Sequence, residues 1–344
     1  MVASLVYDFQ LLELTALLAS WDVPGYRAIQ LWQGLYQHFW DSPEQFTNLP
    51  VTLRRKLAGE LSFTALTPIT TLSSSDNQTI KTLFKLHDGQ AIETVLMRYE
   101  KRRTICISTQ VGCAMGCVFC ATGQMGFKRH LSSGEIVAQV LHYARLLHEE
   151  GDVITNVVVM GMGEPFHNYE NTMNAIDRLN DSEGYNLGSR RFTISTVGLV
   201  PAIRRFTLEK RQVNLAISLH GADDTLRSSM LPINKAHPID EILAACHDYV
   251  LTTGRRITFE WALIKGINDS PEQARLLAGK LNGLLCHVNA IPLNPTKGYP
   301  GEATTKSRAN TFKIILNSYG IPCTIRLRRG IDIQAGCGQL VSYI

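Results

Sequence analysis

No stretch of this sequence stays apolar for long. The longest near-continuous apolar run, Val157 to Gly163, is far short of the roughly 20 residues a helix needs to cross a bilayer, so no membrane partner is expected. The opening Met1-Val-Ala-Ser-Leu lacks a basic n-region and a cleavage site. No secretory leader is therefore expected, and the expected compartment is the cytoplasm. Charge of neither sign dominates: 34 Lys and Arg face 30 Asp and Glu, for a formal net charge of +4. That leaves no acidic tail or polybasic arm to explain. No short-period internal repeat is visible, which argues against a solenoid.

What is present fits a folded enzyme-sized chain. The 344 residues, 45% of them hydrophobic, suffice for one large core and a small accessory domain. Up to about residue 75 the pattern is helical. Leu11, Leu14, Leu18 and Trp21 recur at helical spacing, as do Ile29, Trp32, Tyr36 and Phe39, and a third short helix is expected over 51–61. The polar run Ser73-Ser74-Ser75-Asp76-Asn77 reads as a turn or linker. Two strand-like runs, 80–86 and 91–97, flank His87-Asp88-Gly89-Gln90 and suggest a β-hairpin.

From Thr104 the chain alternates. Strands are expected over 104–109, 156–161, 192–196, 213–218, 257–263 and 287–291. Helices are expected over 133–149, 169–180, 201–208, 239–251, 271–281 and 308–319. Ser132 and Glu135 have the spacing of a capping box for the first of these helices. Six strand–helix units imply a parallel sheet, and six fall short of the eight that close a full barrel. The expected fold class is therefore α/β: an open, partial (β/α)6 barrel over 104–344, preceded by a small N-terminal helical accessory domain (1–75) and a β-hairpin extension (76–103). In such a sheet, chemistry gathers where strands end. Those points here read Gln110-Val-Gly-Cys113, Gly161-Met-Gly-Glu164-Pro165, Ser195-Thr196-Val-Gly198, Ser218-Leu219-His220 and Leu293-Asn294-Pro295.

Eight cysteines in a cytoplasmic chain are not a disulfide framework. Four of them, Cys106, Cys113, Cys117 and Cys120, crowd into fifteen residues. Three thiolates at the spacing Cys113-x-x-x-Cys117-x-x-Cys120 can each hold one iron of a cubane cluster and leave the fourth iron open. A zinc site is the rival reading. It wants four closed ligands, and no second knuckle is visible, though His130 could serve as a fourth. Cys106 alone would pass for a buried small hydrophobe. Cys337, between Gly336 and Gly338, suggests an exposed reactive thiol. Glu93 alone reads as a surface carboxylate on a strand, and Asn294 before Pro295 as a turn residue. Basic residues fall in short blocks: Lys101-Arg102-Arg103, Lys128-Arg129-His130, Arg190-Arg191, Arg204-Arg205, Arg255-Arg256 and Arg328-Arg329. They read either as a solvated surface or as a phosphate-binding face.

The string Cys106-Ile-Ser-Thr-Gln-Val-Gly-Cys113-Ala-Met-Gly-Cys117-Val-Phe-Cys120 resembles the radical S-adenosylmethionine (SAM) superfamily, and within it the RlmN/Cfr family of RNA adenine methylases. The likeness extends through Met160-Gly-Met-Gly-Glu-Pro165, Ser218-Leu-His220, Pro232-Ile-Asn234, Pro292-Leu-Asn-Pro295 and Cys337-Gly-Gln-Leu340, nearly the whole chain. It implies a radical SAM barrel with one [4Fe–4S] cluster per chain on Cys113, Cys117 and Cys120, and two SAM molecules per turnover. Gly163, Glu164, Ser195, Ser218, Leu219, His220 and Asn294 match the family's SAM contacts. Cys337 matches the cysteine that carries a methyl group as a thioether, Cys106 the thiol that later forms a disulfide with it, and Glu93 a proton acceptor.

The implied substrates are an adenosine of 23S rRNA in the peptidyl-transferase region and the adenosine 3′ of the anticodon in tRNAs. The N-terminal domain and the basic blocks are the candidates for RNA contact. The implied electron donor is a flavodoxin or ferredoxin, and the chain is expected to act as a monomer. Pro165 and the Pro292–Pro295 segment resemble the RlmN type, which methylates carbon 2. Pro238-Ile-Asp-Glu241 and Gly330-Ile-Asp332 are more similar to the Cfr type, which methylates carbon 8 and confers drug resistance. Gln334 and Gly336 depart from both. Carbon 2 is the favoured expectation. A non-catalytic Fe–S electron carrier would use the three cysteines but leave the SAM-like loops and Cys337 idle. A radical SAM enzyme acting on a small molecule would leave the N-terminal domain and basic blocks without a role.

Overall fold

The computed structural model describes residues 4–341. Its centre is one ten-stranded sheet. The strands are β1 (Thr67–Ser73), β2 (Thr79–Lys85), β3 (Ala91–Tyr99), β4 (Arg102–Cys106), β5 (Asn156–Val159), β6 (Phe192–Thr196), β7 (Asn214–Ser218), β8 (Ile257–Leu263), β9 (Cys286–Pro292) and β10 (Cys323–Ile325). Their order across the sheet is their order along the chain. Strands β4 to β10 run parallel, and β1 to β4 are joined antiparallel. The parallel strands are short apolar runs such as Asn156-Val-Val-Val159, which suits strands covered on both faces.

Helices α1 (Leu11–Ala19), α2 (Tyr26–Tyr36) and α3 (Val51–Glu60) form the N-terminal part. The crossovers are α4 (Ser133–Glu149), α5 (Tyr169–Asn180), α6 (Val200–Leu208), α7 (Ile239–Thr253), α8 (Pro271–Lys280) and α9 (Lys306–Ser318). The Ser132–Glu135 capping box closes the start of α4. The N-terminal helices lock onto α4 and α5 through specific contacts. The Asp8 carboxylate accepts from the Gly134 N–H at 2.7 Å, and Arg178 donates to the Asp8 carbonyl. Arg145 donates to the Tyr7 hydroxyl at 3.0 Å and the Phe39 carbonyl at 2.8 Å.

Two strands of this sheet escape the sequence reading. Thr67–Ser73 lies within the segment expected to be helical, and every one of its residues is exposed. It carries no buried face, so it has no alternating apolar signal to find. Cys323–Ile325 adds a seventh parallel strand three residues long. Phe39, expected on a helix, instead follows α2 with a φ of 59°.

The sheet curls far enough for its first and seventh parallel strands to serve one cavity: Cys106 at the end of β4 and Arg326 just after β10 line it together. The open side of the curl is bridged by the segment 326–341, which returns to the antiparallel strands. The Ser75 N–H donates to the Asp332 carboxylate at 2.7 Å. Lys81 donates to the Gln334 carbonyl at 3.2 Å, and the Val341 N–H donates to Glu93 at 2.9 Å.

Candidate functional site

The loop after β4 carries Cys113, Cys117 and Cys120. It is pinned by a small hairpin in which Gln110–Gly112 pairs with Phe127–His130. Gly112 has a φ of +71°, and a Cβ there would lie 1.8 Å from the Gly126 carbonyl oxygen, so only glycine fits. An apolar cluster of Met115, Phe119, Met230, Leu231, Ile264 and Leu293 packs around the cysteines. Burial pushes the Cys113 thiol up to about 12 and the Cys117 and Cys120 thiols above their ordinary value, and neighbouring thiols add to it.

All three cysteines line a cavity of about 160 Å³ that also receives Gly163, Glu164, Ser195, Ser218, His220, Asn294 and Cys337. These residues come from the carboxyl ends of β5, β6, β7 and β9 and from the segment 326–341. Gly163 stands at φ +104°, where a Cβ would strike Gln110 at 2.6 Å. The Glu164 carboxylate accepts from the Phe166 and Val197 N–H groups at 2.9 Å each. Burial nevertheless raises its pKa to about 7. The Ser195 and Ser218 hydroxyls lie 3.1 Å apart. His220 Nδ1 accepts from the Ala262 N–H at 2.9 Å, which leaves the ring proton on Nε2. Burial brings the pKa of this ring down to about 3, so it stays neutral. The Leu219 side chain is fully buried in the main core and does not line the cavity.

Asn294 and Cys337 form the hinge of the site. Asn294 Nδ2 donates to the Cys337 carbonyl at 3.0 Å, while its Oδ1 is buried with no partner. Both residues also line a second, smaller cavity of about 40 Å³, together with Cys106, Met97, Tyr99 and Arg326. Cys337 thus faces the three-cysteine loop on one side and Cys106 on the other. Burial pushes the Cys106 thiol up to about 12, with Cys337 next in effect. The Cys337 loop is itself held to the cysteine loop: the Ala121 N–H donates to the Gly338 carbonyl, and Thr122 Oγ1 to the Leu340 carbonyl, each at 2.7 Å.

Glu93 lines neither cavity. Its neighbour Val95 pairs in register with Cys106, and Glu93 projects on that same face two residues away. Its carboxylate sits 2.8 Å from the Lys81 ammonium, and both side chains are about 7% exposed. Burial raises the Glu93 pKa, and Lys81 and the Val341 N–H oppose the rise.

The donors can be tested against a cluster and a sulfonium cofactor. Among the described residues no three His, Cys, Asp or Glu side chains come together to hold a single metal ion. Three thiols spread round one cavity suit a multinuclear cluster, one iron each, better than a zinc ion. A buried carboxyl group and an unpartnered amide oxygen in the same cavity ask for a ligand with hydrogen-bond donors and positive charge. The residues therefore fit both groups.

Several residues that position the site were not singled out from the sequence. Arg227, fully buried, donates to the carbonyls of Leu219 at 3.0 Å and Val197 and to Asn234 at 2.6 Å, so it fixes two of the cavity's loops. Asn268 donates to the His220 carbonyl at 2.8 Å, and its Oδ1 accepts from the Ile264 N–H. Gln110 accepts from the Glu164 N–H at 2.9 Å and reaches both His130 and His167. Each lies far in sequence from at least one group it holds, so spacing gave no signal. Gln110 and Asn234 stood in quoted motifs, without a positioning role being read for them.

Comparison with known proteins agrees with this geometry. The sequence model of the radical SAM superfamily matches residues 107–278. A protein of Myxococcus xanthus named dual-specificity RNA methyltransferase RlmN 1 is 50% identical over 339 residues, covering 98% of this chain and 94% of the relative. A probable dual-specificity RNA methyltransferase RlmN of Chloroflexus aurantiacus is 48% identical, covering 97% of this chain and 92% of its own length. The crystal structure of a radical SAM methyltransferase from Sphaerobacter thermophilus superposes with a TM-score of 0.96 at 53% identity, covering 98% of this chain and 99% of that one.

Proposed function

The chain belongs to the radical SAM superfamily and, within it, to the RlmN family of RNA methyltransferases, and from that premise we propose that it methylates carbon 2 of an adenosine in 23S rRNA and of the adenosine 3′ of the anticodon in tRNAs. The observation that carries the reading is the position of Cys337, on the wall between a cavity lined by Cys113, Cys117 and Cys120 and a cavity lined by Cys106. A [4Fe–4S] cluster and SAM are the cofactors of the superfamily. In this reading one cluster is held by the three cysteines, and two SAM molecules are used per turnover. What they supply when bound is a methyl group and, by one-electron cleavage, a 5′-deoxyadenosyl radical that removes a hydrogen atom.

The chain's residues do the rest. Glu164 would hold the SAM ammonium, and Gly163 lets the loop that carries it close against Gln110, where a Cβ would strike at 2.6 Å. Ser195, Ser218, His220 and Asn294 line the remaining wall, with Leu219 as the buried spacer that sets the two neighbours. Cys337 accepts the methyl group on sulfur and presents the derived carbon to adenine. Acceptance of the ring proton by Glu93 requires the Lys81 and Val341 contacts over its carboxylate to open, because it lines neither cavity. The adduct's unpaired electron returns to the one-electron carrier, and Cys106, giving up its proton, then attacks the Cys337 sulfur: an S–S bond forms, the C–S bond breaks, and its electron pair stays on the carbon, which takes a proton to complete the methyl group. A flavodoxin or ferredoxin is the fitting one-electron donor, and thiols reduce the disulfide. We place the reaction in the cytoplasm, on a monomer. No helix among the described residues is long and apolar enough to cross a membrane.

Mass mapping of rRNA and tRNA from strains with and without the protein tests this. Loss of 2-methyladenosine from both RNAs is the expected result. Loss of 8-methyladenosine from 23S rRNA alone would instead favour the Cfr-type outcome that Pro238–Glu241 and Gly330–Asp332 suggest, and no change in either RNA would overturn the reading.

A further inference from the structure

The cavity shared by Cys106 and Cys337 is edged by a segment that the chemistry above leaves without a task. Arg326, Leu327, Arg328 and Arg329 follow β10 and line this cavity. Leu327 is 81% exposed. A single exposed leucine is ordinary on a protein surface. What sets Leu327 apart is its frame. Arg328 is tied to the Leu293 carbonyl at 3.3 Å and Arg329 to the Arg98 carbonyl at 3.4 Å. Arg329 and Arg102 both lie over the Tyr99 ring, at 4.5 and 5.0 Å from its centre. Gly330, at φ +58°, closes the turn where a Cβ would meet Thr79 at 2.8 Å. The leucine is therefore held out by braced neighbours.

The charge around it is predominantly positive, with the Asp76 carboxylate near Arg329 the exception. Arg98 and Arg103 are matched by Glu150 and Asp152. Arg102, Arg328 and Arg329 have no carboxylate within 4.0 Å among the described residues and instead rest on a ring face or a carbonyl. An apolar tip ringed by free guanidiniums, on the lip of a reactive cavity, matches what extrusion of a base requires. Guanidiniums hold flanking phosphates, and an apolar side chain fills the gap the base leaves in its stack. The cavity, at about 40 Å³, has room for little more than a water molecule or two. An adenine must arrive from outside, already unstacked.

We infer that Leu327 is the wedge of this enzyme: it enters the RNA stack in place of the target adenosine, while Arg102, Arg328 and Arg329 hold the neighbouring phosphates. The inference rests on the reading that the substrate is an adenosine within folded RNA. Leu327 is a positioning residue, since it acts through the base it displaces.

The test uses the reconstituted holoenzyme, without oxygen, and two RNAs. One is a stem-loop with the target adenosine stacked. The other is a short strand of the same local sequence with abasic neighbours, so that the adenosine is already unstacked. With 2-aminopurine at the target, the wild-type protein should raise fluorescence on binding the stem-loop, and Leu327→Ala should lose most of that rise while Leu327→Met keeps it. Leu327→Ala should lower kcat/KM by about tenfold on the stem-loop, where the base must be unstacked, and by far less on the unstacked strand. An unchanged fluorescence rise in Leu327→Ala, or equal losses on both RNAs, overturns the inference. If the wild-type protein methylates neither RNA, the proposed function fails instead, and the two failures are distinct.

Discussion

Replacing Lys81 with Met should be among the most destabilising single changes remote from the cavities. Lys81 and Glu93 form an ion pair of 2.8 Å with both side chains about 7% exposed. Methionine keeps most of the volume and removes the charge. Glu93 would then be buried with only the Val341 N–H as partner. Removing one member of a buried pair costs about 3–5 kcal/mol, because the remaining charge is left uncompensated. With an unfolding entropy of about 2.1 cal/mol/K per residue over the chain, that lowers the melting midpoint by roughly 4–7 °C. The double variant Lys81→Met/Glu93→Gln removes both charges and should lie within about 1 kcal/mol of the wild type.

The pH dependence has a definite sign. Burial raises the folded pKa of Glu93 above its unfolded value, and Lys81 works against that rise. Without Lys81 it climbs further. A carboxyl group with a raised folded pKa costs stability once the pH exceeds its unfolded value of about 4.3. The deficit of Lys81→Met should therefore be small near pH 5 and grow toward pH 8. Thermal melts of the anaerobic protein at both pH values, for the four members of the cycle, provide the measurement. A deficit below 1 kcal/mol, or one equal at the two pH values, would refute the argument.

Other outcomes follow from the same geometry. Cys117→Ala should lose the cluster, and iron analysis of the reconstituted protein should show far fewer than the ~4 irons a three-cysteine cubane site holds. Glu164→Ala should keep its iron and bind SAM about 10- to 100-fold more weakly, the loss expected for one hydrogen bond to a charged group; equilibrium binding decides it, and unchanged affinity rejects the contact. Cys106→Ala should be isolated with RNA joined to Cys337 through a methylene bridge, because no thiol remains to attack the sulfur. Cys337→Ala should carry none, and mass spectrometry of protein purified from cells would expose the reverse pattern at once. Gly163→Ala should fold poorly or lose SAM binding, since a Cβ at φ +104° meets Gln110 at 2.6 Å; normal solubility and SAM affinity would argue against so tight a fit.

The alternating pattern after Thr104 was legible because each strand is apolar and each crossover amphipathic. The six expected helices match α4 to α9 closely. The three-cysteine loop was legible because its three thiols lie within eight residues of one another. What stayed hidden depends on contacts between distant segments. Glu93 reads as a surface carboxylate on a strand, yet its burial is decided by Lys81 on the next strand and by Val341 almost 250 positions later. Arg227 carries no local signal, yet it is fully buried because the Leu219, Val197 and Asn234 acceptors converge on it. Strand β10 was missed because three residues hold too little pattern to register.

Because the strands lie across the sheet in the order in which they occur along the chain, a nascent chain can add each one to an edge already formed as it leaves the ribosome. Segment 326–341 comes after all of them and ties the two far ends of that sheet together. Cys337 thus reaches its place only after every strand of the sheet has been made. A chain cut short near residue 325 would keep all ten strands of the sheet and the three-cysteine loop but lack the segment that carries Cys337, so the order of synthesis sets when the wall between the two cavities is completed.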